Sequence, residues 1–168
     1  MQLKKLPIGI QTFSEIIENG YIYIDKTDIA YNLIDNYKYA FLSRPRRFGK
    51  SLFLDTLKNI FEAKKEYFKG LAIEAKWDWD ISYPVIHINF ANGKIESRTE
   101  LNEAIIRTLE ENQKRLEINC KHSDNVAGCF RELIIKAYEK YNQKVVILVD
   151  EYDKPILDNI DNPEIAKE

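Results

Sequence analysis

Val145-Val146-Ile147-Leu148-Val149 is an unbroken apolar run, β-branched at every position but one, and Asp150-Glu151 follow it directly. It is too short to make a helix, and it lacks the polar alternation of a strand with one wet face. Such a run predicts a strand buried on both faces, the pattern of a parallel sheet covered by helices. Parallel neighbours need long crossover connections, so the run also constrains what precedes it to strands alternating with helices.

The rest of the chain reads that way. Phe13, Ile16 and Ile17 predict a short helix closed at Asn19-Gly20. Tyr21-Ile22-Tyr23-Ile24 is strand-like, and Asp25 or Thr27 caps a helix to about Asp35. Tyr39-Ala40-Phe41-Leu42 has the composition of a buried strand ending at Ser43. Beyond the basic turn Arg44–Gly49, Leu52, Phe53, Leu57, Ile60 and Phe61 recur at helical spacing from Lys50 onward. Lys64–Ser82, with Trp77 and Trp79, reads as helix-turn and loop, its tryptophans packing on the core. Val85–Phe90 predicts a strand with Ile86, Ile88 and Phe90 on one face and His87 and Asn89 on the other. Ser97 or Thr99 starts a helix to about Glu117, and a second runs over roughly Asn125–Tyr141. The expected class is α/β with a mostly parallel sheet, a three-layer αβα sheet of the P-loop type left incomplete after the Val145–Val149 strand.

A strand, a basic glycine-containing turn and a helix form a geometry suited to phosphate. The first N–H groups of a helix lack carbonyl partners, and its dipole favours an anion there. Gly49-Lys50-Ser51 fits the end of the Walker A pattern. In that pattern Gly49 allows close backbone approach, Lys50 reaches the β- and γ-phosphates, and the Ser51 hydroxyl ligates magnesium. The cofactor-binding set is Arg46, Arg47, Phe48, Gly49, Lys50, Ser51 and Leu52. The pattern's first glycine is replaced by Arg44, followed by Pro45. Pro45 donates no N–H and pushes Arg44 toward extended backbone, so the entry to the turn departs from the standard one. At the other end, Asp150 at a strand terminus suits magnesium and Glu151 suits polarising an attacking water. Catalytic roles therefore fall to Lys50 and Glu151, metal roles to Ser51 and Asp150, and the cofactors are ATP and Mg2+.

These residues carry a resemblance. Leu6-Pro7-Ile8-Gly9-Ile10, Tyr23-Ile24-Asp25-Lys26-Thr27, Phe41-Leu42-Ser43-Arg44-Pro45-Arg46-Arg47-Phe48-Gly49-Lys50-Ser51, Pro84-Val85-Ile86-His87 and Val149-Asp150-Glu151-Tyr152-Asp153-Lys154-Pro155 closely resemble the bacterial and archaeal AAA-ATPase-like family. The resemblance makes Arg44-Pro45 the family's own variation. It implies one partial ATPase domain over 1–168, with 1–38 a lead-in that contributes to the base pocket and 39–155 the P-loop core. Such proteins are typically longer, with a region often resembling a PD-(D/E)xK nuclease after the ATPase part. The partners implied are a nucleotide, nucleic acid through a further C-terminal region, and additional copies of the chain. ATPases with a Glu after the Walker B Asp generally hold another strand between the two Walker strands, donated from further along the chain. Only Tyr152–Glu168 follows here. The expectation is thus an N-terminal part of a longer ATPase, or else Walker strands that pair directly in a rearranged sheet.

Two rival classes stand beside an ATPase: a nucleotide-binding switch without turnover, and a nucleic-acid or nuclease module using Arg44, Arg46 and Arg47. The Glu62-Ala63-Lys64 and Glu74-Ala75-Lys76 triplets suit a nuclease only superficially, because neither sits on an evident strand after a matching Asp. A net charge of −2 gives the whole molecule no nucleic-acid footprint. No apolar run is long enough to span a bilayer and the N-terminus has no signal-peptide character, so the expected location is cytoplasmic and membrane-free. Cys120, His122 and Cys129 fall one ligand short of a zinc site.

Overall fold

The computed structural model describes residues 4–45, 47–91, 95, 97–121 and 125–159. The chain divides into two compact units, Met1–Ser82 and Tyr83–Glu168. The architecture is α/β, with six α-helices and one two-stranded parallel sheet among the described residues.

The first unit is helical. It holds α1 (Phe13–Glu18), α2 (Thr27–Asn36) and α3 (Lys50–Phe61), then a 3-10 turn at Lys65–Phe68. α1 ends where the Asn-Gly signal predicts, with Gly20 at φ +66°. Phe13, Ile16, Ile60, Phe68 and Ile73 are fully buried. The Phe13 ring lies 5.0 Å from Tyr23 and 4.8 Å from Phe68, and Phe68 lies 5.0 Å from Trp79. Trp77 meets Phe61 edge-on at 5.7 Å. Both tryptophans are therefore part of the aromatic packing, as the sequence predicts. Asp55 of α3 accepts from the Phe13 N–H at 2.7 Å, which satisfies an orphan donor at the start of α1 and fastens the two helices together.

Two expected strands of this unit do not form. Tyr21–Ile24 keeps the alternation, Tyr23 inward and Ile22 and Ile24 outward, but it pairs with no strand: Tyr21 N–H bonds Ile16 O of α1 at 3.0 Å and Ile22 N–H bonds Lys5 O at 2.9 Å. Tyr39–Leu42 is irregular, with Tyr39 83% and Phe41 71% exposed, where a buried strand is expected. The physical reason is shared. β-propensity records how well a residue fits a paired, half-covered surface, and the described residues of this unit contain no strand to supply one.

The second unit runs β1 (Val85–Asn89), α4 (Arg98–Leu116), α5 (Val126–Tyr141), β2 (Val146–Asp150) and α6 (Lys154–Asp158). Ser97 Oγ caps α4 by accepting from Glu100 N–H, and Asn125 Oδ1 caps α5 by accepting from Gly128 N–H. β1 and β2 pair in parallel, Val85 opposite Val146 through Asn89 opposite Asp150. Ile86 and Ile88 of β1 share a buried cluster with Leu109 and Leu116 of α4 and Cys129, Leu133 and Ala137 of α5.

β2 departs from the expectation of burial on both faces. Leu148 and Asp150 are buried, but Ile147 and Val149 are 43% and 41% exposed. They stand beside Ile86 and Ile88 in the register, and it is β1 that α4 packs against. The helices cover the β1 half of that face and leave the β2 half open.

The outward edge of β1 is closed by side chains. Asn112 of α4 accepts from His87 N–H at 2.9 Å and donates to His87 O at 2.7 Å, occupying both backbone groups that a neighbouring strand would use. Arg115 bonds the Val85 carbonyl on the same edge. Asn112 is buried, and its own amide also bonds Thr108 O at 2.8 Å. Asn112→Ala leaves the His87 backbone pair without partners. It is expected to lower unfolding stability by about 2–4 kcal/mol, read from the midpoint of a urea denaturation curve.

Candidate functional site

The basic turn leads into α3 much as the sequence predicts. Gly49 occupies the N-cap position in left-handed backbone, φ +74° and ψ +27°. A residue with a Cβ adopts that conformation only at a cost, although the space around Gly49 is open. Phe53 N–H returns to Gly49 O at 2.9 Å, the ordinary first bond of such a helix. The N–H groups before it have no carbonyl partner within α3, so they project from the helix start together with the positive end of its dipole. Lys50 Nζ donates to Arg44 O at 2.9 Å, which folds the ammonium back over the turn. Arg44, Pro45, Arg47 and Phe48 are exposed, and Ser51 and Leu52 are half-buried in the first turn of α3. Arg46 lies outside the described residues.

The acidic pair lies at the end of β2, in the second unit. Asp150 is buried, and its Oδ1 accepts from Glu151 N–H at 3.0 Å. Glu151 has φ +53°, and its carbonyl accepts from Lys154 N–H at 3.0 Å at the start of α6. Each half of the candidate site thus lies inside its own unit: Arg44–Ser51, leading into α3, in Met1–Ser82, and Asp150–Glu151, between β2 and α6, in Tyr83–Glu168.

Backbone conformation supplies a signal that residue types could not. Five described non-glycine residues have positive φ: Arg47, Ala63, Glu117, Asn142 and Glu151. Ala63, Glu117 and Asn142 follow the last turns of α3, α4 and α5, where left-handed backbone is the common way to end a helix. Arg47 and Glu151 end no helix. They are the described left-handed non-glycines that helix termination leaves unexplained, and they fall in the turn before α3 and directly after Asp150. Non-glycine residues held in this region cluster at functional sites.

The chain matches the model of the AAA-ATPase-like family, described as predicted AAA-ATPase, over residues 7–168. It belongs to that family. A further relative is an uncharacterized protein in the vnfD 5' region of Azotobacter chroococcum mcd 1. It is 50% identical over 169 residues, which take in 100% of this chain and 33% of that protein. The AAA-ATPase-like chain thus spans about a third of the length of this relative. No solved structure matches it.

Other sequence candidates resolve into structural roles. The Asp25 carboxylate accepts from Thr27 N–H at 2.8 Å, Thr27 Oγ1 at 2.7 Å and Ala72 N–H at 2.8 Å, so it orders the start of α2 and ties it to the loop after the 3-10 turn. Thr27 Oγ1 in turn accepts from Ile73 N–H at 3.2 Å. No helix among the described residues is long and apolar enough to cross a membrane. No cluster of three or more His, Cys, Asp or Glu suited to a metal occurs among the described residues, and His122 lies outside them.

Two outcomes follow from these geometries. Left-handed backbone costs a side-chain-bearing residue roughly 1–2 kcal/mol, while glycine's extra unfolded-state freedom costs roughly 0.5–1 kcal/mol. Arg47→Gly and Glu151→Gly should therefore each raise stability by about 0.5–1 kcal/mol in thermal denaturation. At Asp25, desolvation pushes the carboxyl pKa up, but the Thr27 and Ala72 hydrogen bonds outweigh it and hold the group below its ordinary value. A depressed carboxylate contributes stability above its unfolded pKa of about 3.9 and loses it as pH falls through the folded value. Acid titration should show Asp25→Asn removing a stability increment at neutral pH that the parent loses only below about pH 4.

Proposed function

We propose that this chain is the nucleotide-binding part of an ATPase that takes ATP with Mg2+. Arg47 through Leu52 offer backbone N–H groups and the α3 terminus to the phosphates, and Lys50 supplies the ammonium. Ser51 and Asp150 present hard oxygen donors of the kind magnesium selects. A magnesium ion held by donors of this kind would neutralise phosphate charge. Glu151, the residue after the metal carboxylate, orients and polarises the attacking water. The observation that carries this reading is the coincidence of left-handed backbone at Arg47 and Glu151 with the two segments that the Walker patterns mark.

The donor set fits the nucleotide. A phosphate has only to draw Lys50 Nζ from a neutral carbonyl, Arg44 O, to a charged oxygen, which is the stronger acceptor. The exposed Arg44 and Arg47 add positive charge on the same turn without a carboxylate neighbour in the sequence between them. The finer fold reading, a three-layer P-loop sheet within one ATPase domain, draws support from the open Ile147–Val149 side of β2 and from the exposed, strand-like Tyr39–Leu42. Both segments have the composition of sheet interior without the cover that sheet interior receives. Nucleic acid, further copies of the chain and a cytoplasmic setting are parts of the same proposal.

Titration calorimetry with ATP, with and without Mg2+, is the direct test. Lys50→Ala removes hydrogen bonds to charged oxygens worth about 1.5–3 kcal/mol, so ATP binding should weaken roughly 10–100-fold. Glu151→Gln should bind ATP as the parent does and lose phosphate release wherever the parent shows it. Unchanged ATP affinity in Lys50→Ala would sink the assignment of the turn. Binding with no phosphate release from parent protein carrying its full-length sequence would leave a switch in place of an ATPase.

A further inference from the structure

Cys120 and Cys129 are not used by the proposed function, yet they are held together by a specific arrangement. Cys129 lies in the first turn of α5 and is buried, and Cys120 is half-buried in the segment after α4. The Cys120 thiol donates to Cys129 O at 3.5 Å, which sets its sulfur against the backbone of the second cysteine. One carboxamide holds both residues in place. Gln113 Oε1 accepts from Cys120 N–H at 2.7 Å, and Gln113 Nε2 donates to Cys129 Sγ at 3.4 Å. A thiol seated on the backbone of a second cysteine, with one carboxamide bonded to both residues and one of the two half-exposed, brings the pair together as a disulfide requires.

We infer that Cys120 and Cys129 form a reversible disulfide under peroxide, a redox-controlled staple between the segment after α4 and the start of α5. The chemistry balances with hydrogen peroxide as oxidant. The Cys120 thiol gives up its proton, the thiolate attacks one peroxide oxygen, and the O–O bond breaks to leave a sulfenic acid and a hydroxide, which takes up that proton as the first water. Cys129 sulfur then attacks the Cys120 sulfur, the S–S bond forms and the S–O bond breaks. Hydroxide leaves and takes up the Cys129 proton as a second water. Two thiols lose two electrons and one peroxide gains them.

The surroundings set how readily this happens. Burial, the Cys129 thiol beside it and the Glu132 carboxylate push the Cys120 thiol up to about 12, against the opposing charge of Lys136. Gln113, the α4 side chain in contact, carries no charge. Little thiolate exists at neutral pH, so the staple closes slowly there and faster as pH rises.

Purified protein is treated with hydrogen peroxide, denatured, alkylated with iodoacetamide and weighed intact. The expected product takes up no alkyl group and is lighter than the reduced protein by about 2 Da, the two hydrogens lost. Dithiothreitol should restore both sites. The closing rate should rise roughly tenfold per pH unit from pH 7 to 9. Cys120→Ser and Cys129→Ala should each abolish the product, and Gln113→Ala, which leaves both thiols present, should slow it. The closed form should melt at a higher temperature than the reduced form. Formation of sulfinic acid at Cys120 with Cys129 still alkylated would overturn the inference. So would a closed form with unchanged melting temperature, because the bond would then staple nothing.

Discussion

The second unit depends on a bond pair that is neither helix nor sheet, the amide of Asn112 against both backbone groups of His87. Two parallel strands alone make a weak element, with two unpaired edges and no cover. Asn112 takes the place of a neighbouring strand at the middle of β1 and does so from inside α4, so edge closure and helix docking become one contact. Arg115, one turn further along, bonds Val85 O and Asn112 Oδ1 and extends the seal. With α4 fixed in this way, Leu109 and Leu116 meet Ile86 and Ile88, and α5 adds Cys129, Leu133 and Ala137 to the cluster. β2 and its terminal Asp150 are then placed by the register with β1.

The first unit solves a different problem, because its described residues contain no sheet to organise it. Its anchor is Asp55, whose carboxylate accepts the Phe13 N–H while Phe13 itself packs between Tyr23 and Phe68. Asp25 performs the matching task at α2, gathering Thr27 and Ala72. Both acids close orphan helix-start donors, and together they define where α1 and α2 lie within this unit. The turn before α3 can hold Arg47 in strained backbone because the helix after it is well buried at Leu57 and Ile60 and is fastened to α1 through Asp55.

The first five helices were legible in the sequence because their signals are local, whereas the short α6 over Lys154–Asp158 was not. Asn-Gly after α1, Ser97 before α4 and Asn125 before α5 mark ends through bonds made within a few residues, and each end falls where its signal stands. Val85–Asn89 and Val146–Asp150 were legible because each finds the other. Tyr39–Leu42 carries an equally apolar pattern and forms no strand, since pairing is a property of two segments and periodicity reports only one. The double burial predicted for β2 fails for the same reason: residue type states what a side chain needs, and α4 covers β1 instead. In the candidate site, Gly49, Lys50, Ser51, Asp150 and Glu151 could be named from their types and spacing. The left-handed backbone of Arg47 and Glu151 could not, because neither is a residue type that advertises it.

That last difference bears on what the site is for. A glycine at either position would hold the same backbone at less cost. Arg47 instead keeps a cation on the turn that precedes an open helix start, and Glu151 keeps a carboxylate one residue beyond a buried Asp150. A purely structural turn gains nothing from a charged side chain in strained backbone. A phosphate and a polarised water each require a charged group at a fixed position, and fixing it against local preference is how a fold pre-organises such a group. The family match places the chain among predicted ATPases, and this pair of unfavourable backbone angles is the structural observation on which the proposed location of its chemistry rests.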